Sequence, residues 1–186
     1  MKVTDFLELY RLDSVVQTIA ERLKAKDPYR LQLKGLAGSL DAVMASAVYT
    51  LNYGHQLFVM HDKEEAAYFY TDLKNLLGGE KEILLFPTSY KRPYSFDDTE
   101  NANILMRAEV LNRLNQKTGK GELIVTYPEA LTEKVINKKS LVENTLGAKV
   151  GEKLDTAFLS EMLAEYGFER TEFVYEAGQY AVRGGI

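Results

Sequence analysis

The 186-residue chain contains no cysteine, which excludes disulfides, thiolate catalysis and cysteine-ligated zinc. Histidine is almost as scarce, because only His55 and His61 occur, at the two ends of one apolar run. No apolar run approaches the roughly 20 residues that a membrane-spanning helix needs. The first ten residues also lack the basic start and apolar core of a secretory signal. We therefore expect a cytoplasmic protein with no metal site, no cofactor and no membrane partner.

An excess of positive charge is also absent. The chain has 23 basic and 27 acidic residues and a formal net charge of −4. Proteins that neutralise DNA phosphates usually carry a basic face or stripe. Strong DNA binding by this chain alone is therefore not expected. Hydrophobic residues make up 46% of the sequence and charged residues 27%, which is typical of a folded globular protein.

The first 26 residues predict two short helices. Asp13 is a suitable N-cap, and apolar residues recur at helical spacing from Val15 to Leu23. Pro28 then ends the pattern. We interpret residues 1–26 as a helical segment that packs against the main domain or mediates self-association.

Residues 27–138 alternate between strand and helix patterns. The predicted strands are 31–33, 56–60, 82–86 and 121–126. The apolar run 56–60 is typical of a strand that is covered on both faces. Asp62 and Glu65 have capping-box spacing, so a helix is expected to begin there. This alternation predicts an α/β domain like those of P-loop NTPases, in which helices flank a parallel sheet.

Two further patterns concern the later helices and the C-terminal part. The helix after residue 100 places Ile104, Ala108, Leu111 and Leu114 on one face. Residues 139–186 predict a smaller α+β domain, which we expect to be truncated at Ile186. Its predicted elements are a strand or hairpin over 140–150, a helix capped by Asp155, and strands at 172–175 and 180–182.

The segment Gly35–Ala42, GLAGSLDA, has the position of a phosphate-binding loop but lacks its chemistry. A working loop ends in Gly-Lys-Ser/Thr, whereas this segment has Leu40, Asp41 and Ala42. An aspartate about 4 Å from a phosphate charge repels it by about 1–4 kcal/mol, and a helix dipole of about 0.3–1 kcal/mol does not compensate. We therefore expect no ATP hydrolysis and no catalytic residue. From spacing alone, an ordinary turn with Ser39 or Asp41 at the helix start is an equally good interpretation. Gly38 is compatible with a phosphate loop and with an ordinary turn.

The stretch 88–97 interleaves basic and aromatic residues, which is a pattern that can bind single-stranded nucleic acid. Lys91 and Arg92 are the candidate contacts. The alternative is that Tyr94 and Phe96 cover the end of the sheet while the two cations are solvated. The acidic pair Asp97-Asp98 favours that alternative.

Four segments together resemble the N-terminal, UvrB-like module of bacterial transcription-repair coupling factors (Mfd). They are GLAGSLDA, FPTSYKRPYSF, GELIVTYPEALTEKV and YGFERTEFVYEAGQYAVRGGI, within residues 30–186. The resemblance implies a degenerate phosphate loop and a module that recruits UvrA. It places the start of the UvrA-binding domain at 139–186 and one partner-binding arginine at Arg183. It also implies a longer parent protein that acts as an ATP-dependent DNA translocase and contacts RNA polymerase and DNA.

Two other functions are compatible with the residues. One is an α/β domain that binds a different small ligand at the strand ends. The other is a nucleic-acid-binding domain that uses residues 90–96. Arg183 likewise has a purely structural interpretation, in which it pairs with Glu172 or Glu176 at the surface.

Overall fold

The computed structural model describes residues 2–25, 27–52, 54–79, 81–90, 101–116, 121–143, 145–175 and 178–183. The predicted nucleic-acid contacts Lys91 and Arg92 lie outside these residues. The helices are α1 (Val3–Arg11), α2 (Ser14–Leu23), α3 (Leu40–Leu51), α4 (Lys63–Leu77), α5 (Asn101–Asn115), α6 (Pro128–Thr132), α7 (Lys138–Glu143) and α8 (Thr156–Glu165). The strands are β1 (Gln56–Val59), β2 (Ile83–Phe86), β3 (Leu123–Thr126), β4 (Glu169–Arg170) and β5 (Gln179–Tyr180).

The main sheet is parallel and has the order β1-β3-β2. Leu123 at the start of β3 is in register with Gln56 of β1 and with Ile83 of β2. Each crossover contains a helix, since α4 joins β1 to β2 and α5 lies between β2 and β3. This arrangement confirms the predicted α/β class, a parallel sheet flanked by helices.

The central strand β3 is buried along its whole length, but β1 lies at an edge. Leu57 and Val59 on one face of β1 are 56% and 49% exposed. The prediction that this strand is covered on both faces is therefore wrong. The apolar run reflects burial of the other face, where Phe58 packs on Phe69 of α4 with ring centroids 5.1 Å apart.

The predicted strand at Leu31–Leu33 does not form. Leu31 and Leu33 are 49% and 42% exposed, and the described part of the sheet has three strands instead of the predicted four. A strand needs a neighbour with which to pair its backbone, and no described strand pairs with this segment. The β-type residue pattern at residues 31–33 is therefore not sufficient by itself to form a strand.

The N-terminal helices pack against α3. Val16 of α2 joins Met44, Ala47 and Val48 of α3 in a small core of their own. The main core lies between the sheet and helices α3, α4 and α5. Its most fully buried members include Leu73 of α4, together with Leu123 and Val125 of β3.

Helix α4 begins and ends where the sequence predicts. The Asp62 carboxylate accepts a hydrogen bond from the Glu65 N–H at 2.8 Å, and this bond holds the pKa of Asp62 below its usual range. The Glu65 carboxylate accepts from the N–H of His61, one residue before the cap. Gly78, in the left-handed conformation, ends the helix.

The buried face of α5 differs from the predicted one. Arg107 and Val110 are buried, with 6% and 3% exposure, whereas Ile104 and Leu114 are 42% and 46% exposed. Hydrophobic periodicity misplaced this face because it assigns every arginine to the solvent side.

The C-terminal part contains more helix than predicted. Residues 138–143 form α7 instead of a strand, and the Asn137 side chain accepts from the Ser140 N–H at 2.9 Å, as an N-cap does. Asp155 caps α8 as predicted, and Phe158 on that helix is 57% exposed. Strands β4 and β5 pair in parallel, and the predicted strand 172–175 does not form.

Candidate functional site

The predicted phosphate loop forms a turn that leads into α3. Gly35 and Gly38 have φ values of 80° and 57°, a region that glycine occupies without strain. Helix α3 then begins at Leu40, and its N-cap Ser39 makes no capping bond with its side chain. The turn and the helix are therefore present, but the strand that precedes a working loop is not.

A carboxylate of the chain itself lies at the start of α3. The Asp41 carboxylate accepts a hydrogen bond from the Ala42 N–H at 2.7 Å. In a working loop, such N–H groups face the phosphates. Ala42 is completely buried in the main core, so its position offers no hydroxyl and no space to hold magnesium. At this helix start, a carboxylate of the chain itself therefore accepts a backbone N–H.

A second polar cluster, which the sequence did not predict, lies at the carboxyl ends of β2 and β3. Its centre is Arg107, whose guanidinium pairs with the Glu133 carboxylate at 3.0 Å. The same guanidinium donates to the carbonyls of Pro87 at 2.7 Å and Ala130 at 3.1 Å. It also lies 4.1 Å from the centroid of the Phe86 ring.

Two side chains of this cluster hydrogen-bond to the backbone just after β2. The Glu133 carboxylate accepts from the Ser89 N–H at 2.9 Å. The Tyr127 hydroxyl accepts from the Thr88 N–H, also at 2.9 Å. Burial lowers the pKa of Arg107, while the negative charge of Glu133 opposes that shift. Ligands often bind at this edge of an open α/β sheet. Here, however, most of its polar groups are engaged with one another, so we assign the cluster a structural role.

Next to this cluster is an apolar groove of about 390 Å³, lined by residues of α5 and of the sheet and lying beside the exposed Leu57 of β1. Its polar lining consists of His55, Gln56 and Glu133. The apolar lining is Leu57, Phe86, Val110, Leu111, Leu114, Ile124, Leu131 and Val135. The groove does not include Gly35–Ala42, so the two features are separate.

The predicted binding residue Arg183 lies just after β5 and is exposed. Its Nη2 donates to the backbone carbonyl of Glu172 at 3.0 Å, and its guanidinium carbon lies 4.0 Å from the centroid of the Phe173 ring. No described carboxylate forms an ion pair with it. The alternative interpretation, an ion pair with the Glu172 side chain, therefore does not hold. Glu176 lies outside the described residues.

A second arginine, which the sequence analysis missed, joins Arg183. Arg170 ends β4 and, like Arg183, lines an open cavity of about 430 Å³. Thr171, Glu172 and Val182 complete the described lining. Within the described part of the chain, the Arg170 side chain makes no hydrogen bond or ion pair. The parallel pairing of β4 with β5 brings the two cations together although they are 13 positions apart in sequence.

Neither a metal site nor a membrane span is found in the described residues. They contain no group of three or more histidine, aspartate or glutamate side chains placed to hold a metal ion. None of the helices within the described ranges is both long and apolar enough to cross a membrane.

No family model matches the chain, but three curated proteins do. All three are transcription-repair-coupling factors. The protein from Bacillus subtilis is 26% identical over 174 residues, which is 93% of this chain and 14% of that protein. The Rickettsia bellii protein is 32% identical over 131 residues, or 70% of this chain and 11% of the relative. The Myxococcus xanthus protein is 24% identical over 162 residues, covering 84% of this chain and 13% of the relative.

The chain is homologous to a segment of the transcription-repair coupling factors. It spans only 11–14% of the length of these coupling factors. The longest match covers 93% of the chain, so the homology extends well beyond any single motif.

Proposed function

We propose that the chain is a non-catalytic, UvrB-like module of a transcription-repair coupling factor that recruits UvrA for nucleotide excision repair. The observation that carries this proposal is the pair Arg170 and Arg183, which the β4–β5 pairing places at one open cavity on a chain homologous to coupling factors. Arginine is enriched among the residues that dominate binding energy in protein interfaces.

The absence of catalysis is part of the same proposal. Asp41 occupies the helix start with a negative charge, and buried Ala42 leaves no group for magnesium. ATP hydrolysis, DNA translocation and contact with RNA polymerase would then belong to other parts of a longer cytoplasmic protein. In this division, residues 1–26 are a helical segment, 27–138 a UvrB-like domain, and 139–186 the start of the UvrA-binding domain.

Calorimetric titration of the purified chain with Mg-ATP tests the non-catalytic part. We expect no binding heat, because the loop opposes phosphate. Micromolar affinity would contradict the proposal and favour a ligand-binding α/β domain.

Affinity for purified UvrA tests the recruiting part. Arg183→Glu and Arg170→Glu should each weaken binding about tenfold or more, since arginine is enriched among the interface residues whose removal costs about 2 kcal/mol or more. The matched control is Arg22→Glu at an exposed position of α2, which makes the same charge change elsewhere. If the wild type does not bind UvrA, or all three variants weaken it equally, the assignment is wrong.

Self-association through residues 1–26 is a separate proposal. Leu9 and Leu12 are 61% and 73% exposed, which leaves apolar area uncovered on the N-terminal helices. Sedimentation velocity of the wild type and of Leu12→Ser should show a concentration-dependent dimer only in the wild type. Identical monomeric profiles for the two proteins would end this proposal.

A further inference from the structure

The Arg183 side chain is exposed, yet two contacts restrict its orientation. The ring of Phe173 lies against the guanidinium at 4.0 Å. The backbone carbonyl of Glu172 accepts a hydrogen bond from Nη2 of the same guanidinium at 3.0 Å. An arginine held in this way loses less conformational freedom when a partner binds.

Phe173 is itself held by the surrounding loop. The Thr171 hydroxyl donates to the Phe173 carbonyl at 2.9 Å. The Thr171 N–H donates to the carbonyl of Tyr180 in β5, also at 2.9 Å, so the loop is anchored to the neighbouring strand. The Tyr175 ring lies 6.4 Å from the Phe173 ring, and the Tyr175 N–H donates to the Gln179 side chain at 3.1 Å.

We propose that Phe173 is a positioning residue that holds the Arg183 guanidinium so that its Nε and Nη1 donors face a carboxylate of a protein partner. This inference rests on the proposed function and extends it to the chemistry of recognition. Neither donor has a partner among the described residues. Arg170, which lines the same cavity, supplies a second cation for another acidic side chain.

The surroundings favour an acidic protein surface over nucleic acid. Exposed Glu169 and Glu172 lie beside the two arginines, and the whole chain has a net charge of −4. A nucleic-acid strand presents a row of phosphates and requires a stripe of cations. Two guanidinium groups at one cavity, with glutamates as neighbours, suit individual carboxylates of a protein better than a row of phosphates.

The positioning role can be measured in the free protein. A guanidinium stacked on a ring shifts the NMR signals of the Arg183 δ-methylene protons upfield. We expect that shift in the wild type and in Phe173→Tyr, and expect it to disappear in Phe173→Leu. Phe158→Leu, on exposed α8, is the matched control and should leave it unchanged. A wild type without the shift would overturn the proposal whether or not UvrA binds.

Binding of UvrA then tests the consequence. Phe173→Leu should weaken affinity about two- to fivefold, the range expected for an exposed cation–π contact, and Phe173→Tyr should restore it. In an Arg183→Ala background, Phe173→Leu should have no further effect. An equal loss in both backgrounds would mean that Phe173 acts independently of Arg183, and the proposal would fail.

A separate experiment distinguishes a protein partner from a nucleic acid. A labelled single-stranded oligonucleotide should not bind the wild type more tightly than it binds Arg183→Ala. Oligonucleotide binding that depends on Arg183 would overturn the carboxylate assignment. If UvrA fails to bind the wild type while the NMR shift is present, the recruiting function is wrong, but the positioning role of Phe173 stands.

Discussion

Removing the side chain of Arg107 should destabilise the chain more than removing any exposed arginine. The Arg107→Ala variant loses the 3.0 Å ion pair with Glu133 and the hydrogen bonds to Pro87 and Ala130. It also leaves the Glu133 carboxylate, whose side chain is 13% exposed, without its cation. Breaking a buried pair from one side typically costs about 3–5 kcal/mol. Domains are commonly stable by only about 5–15 kcal/mol, so such a loss is a large part of the total.

Arg113→Ala is the matched control, because Arg113 is on the same helix. Its side chain is 27% exposed and pairs with Glu82 and Glu109, which are themselves about half exposed. Arg113 also reaches the buried Glu122, but only at 4.0 Å, and Lys81 remains as the nearer cation of Glu122 at 2.7 Å. Exposed pairs contribute about 1 kcal/mol or less. Urea unfolding followed by far-ultraviolet circular dichroism measures both variants in a chain that has no tryptophan. Equal destabilisation by Arg107→Ala and Arg113→Ala would refute the reasoning.

Three other predictions can be tested on the same chain. A Cβ at Gly121 would lie 2.1 Å from the backbone of Gly54, so Gly121→Ala should cost about 3 kcal/mol in urea unfolding. Gly147 has no atom within 4 Å of that position, so Gly147→Ala should be neutral or stabilising by up to about 1 kcal/mol; equal losses would contradict both. The lowered pKa of Asp62 should contribute stability that is present above about pH 4 and lost as pH falls through the folded-state pKa, which two-dimensional NMR titration can follow. Asp62→Asn should remove that part of the pH dependence, and an Asp62 titration at the ordinary value would disprove it. Finally, Asp41→Lys should not create ATP binding in calorimetry, because Ala42 remains buried; ATP binding by this single variant would contradict that expectation.

Local signals in the sequence were sufficient to predict much of the fold. Strands β1, β2 and β3 were found because short apolar runs lie between helical patterns, and α4 because Asp62 and Glu65 mark its start. The strand at residues 31–33 failed for a different reason. Its composition suits a strand, but pairing depends on a neighbour that the local sequence does not specify.

The candidate site was only partly accessible to the same reasoning. Arg183 was reached through family resemblance, whereas Arg170 needed the parallel pairing of β4 with β5, a long-range contact without a local signal. Arg107 was missed because periodicity treats charge as a sign of exposure. Its partner Glu133 lies 26 positions away, and only the fold brings them together.

The open edge at β1 has a practical consequence for handling the protein. Leu57 and Val59 are exposed side chains of β1, and within the described sheet β1 pairs with another strand on one side only. Strands with such edges can pair with strands of other molecules, and attraction between apolar surfaces weakens on cooling. Concentrated samples should therefore form soluble aggregates more readily at room temperature than in the cold. Lysine at position 57 should extend the shelf life of the preparation without changing its fold.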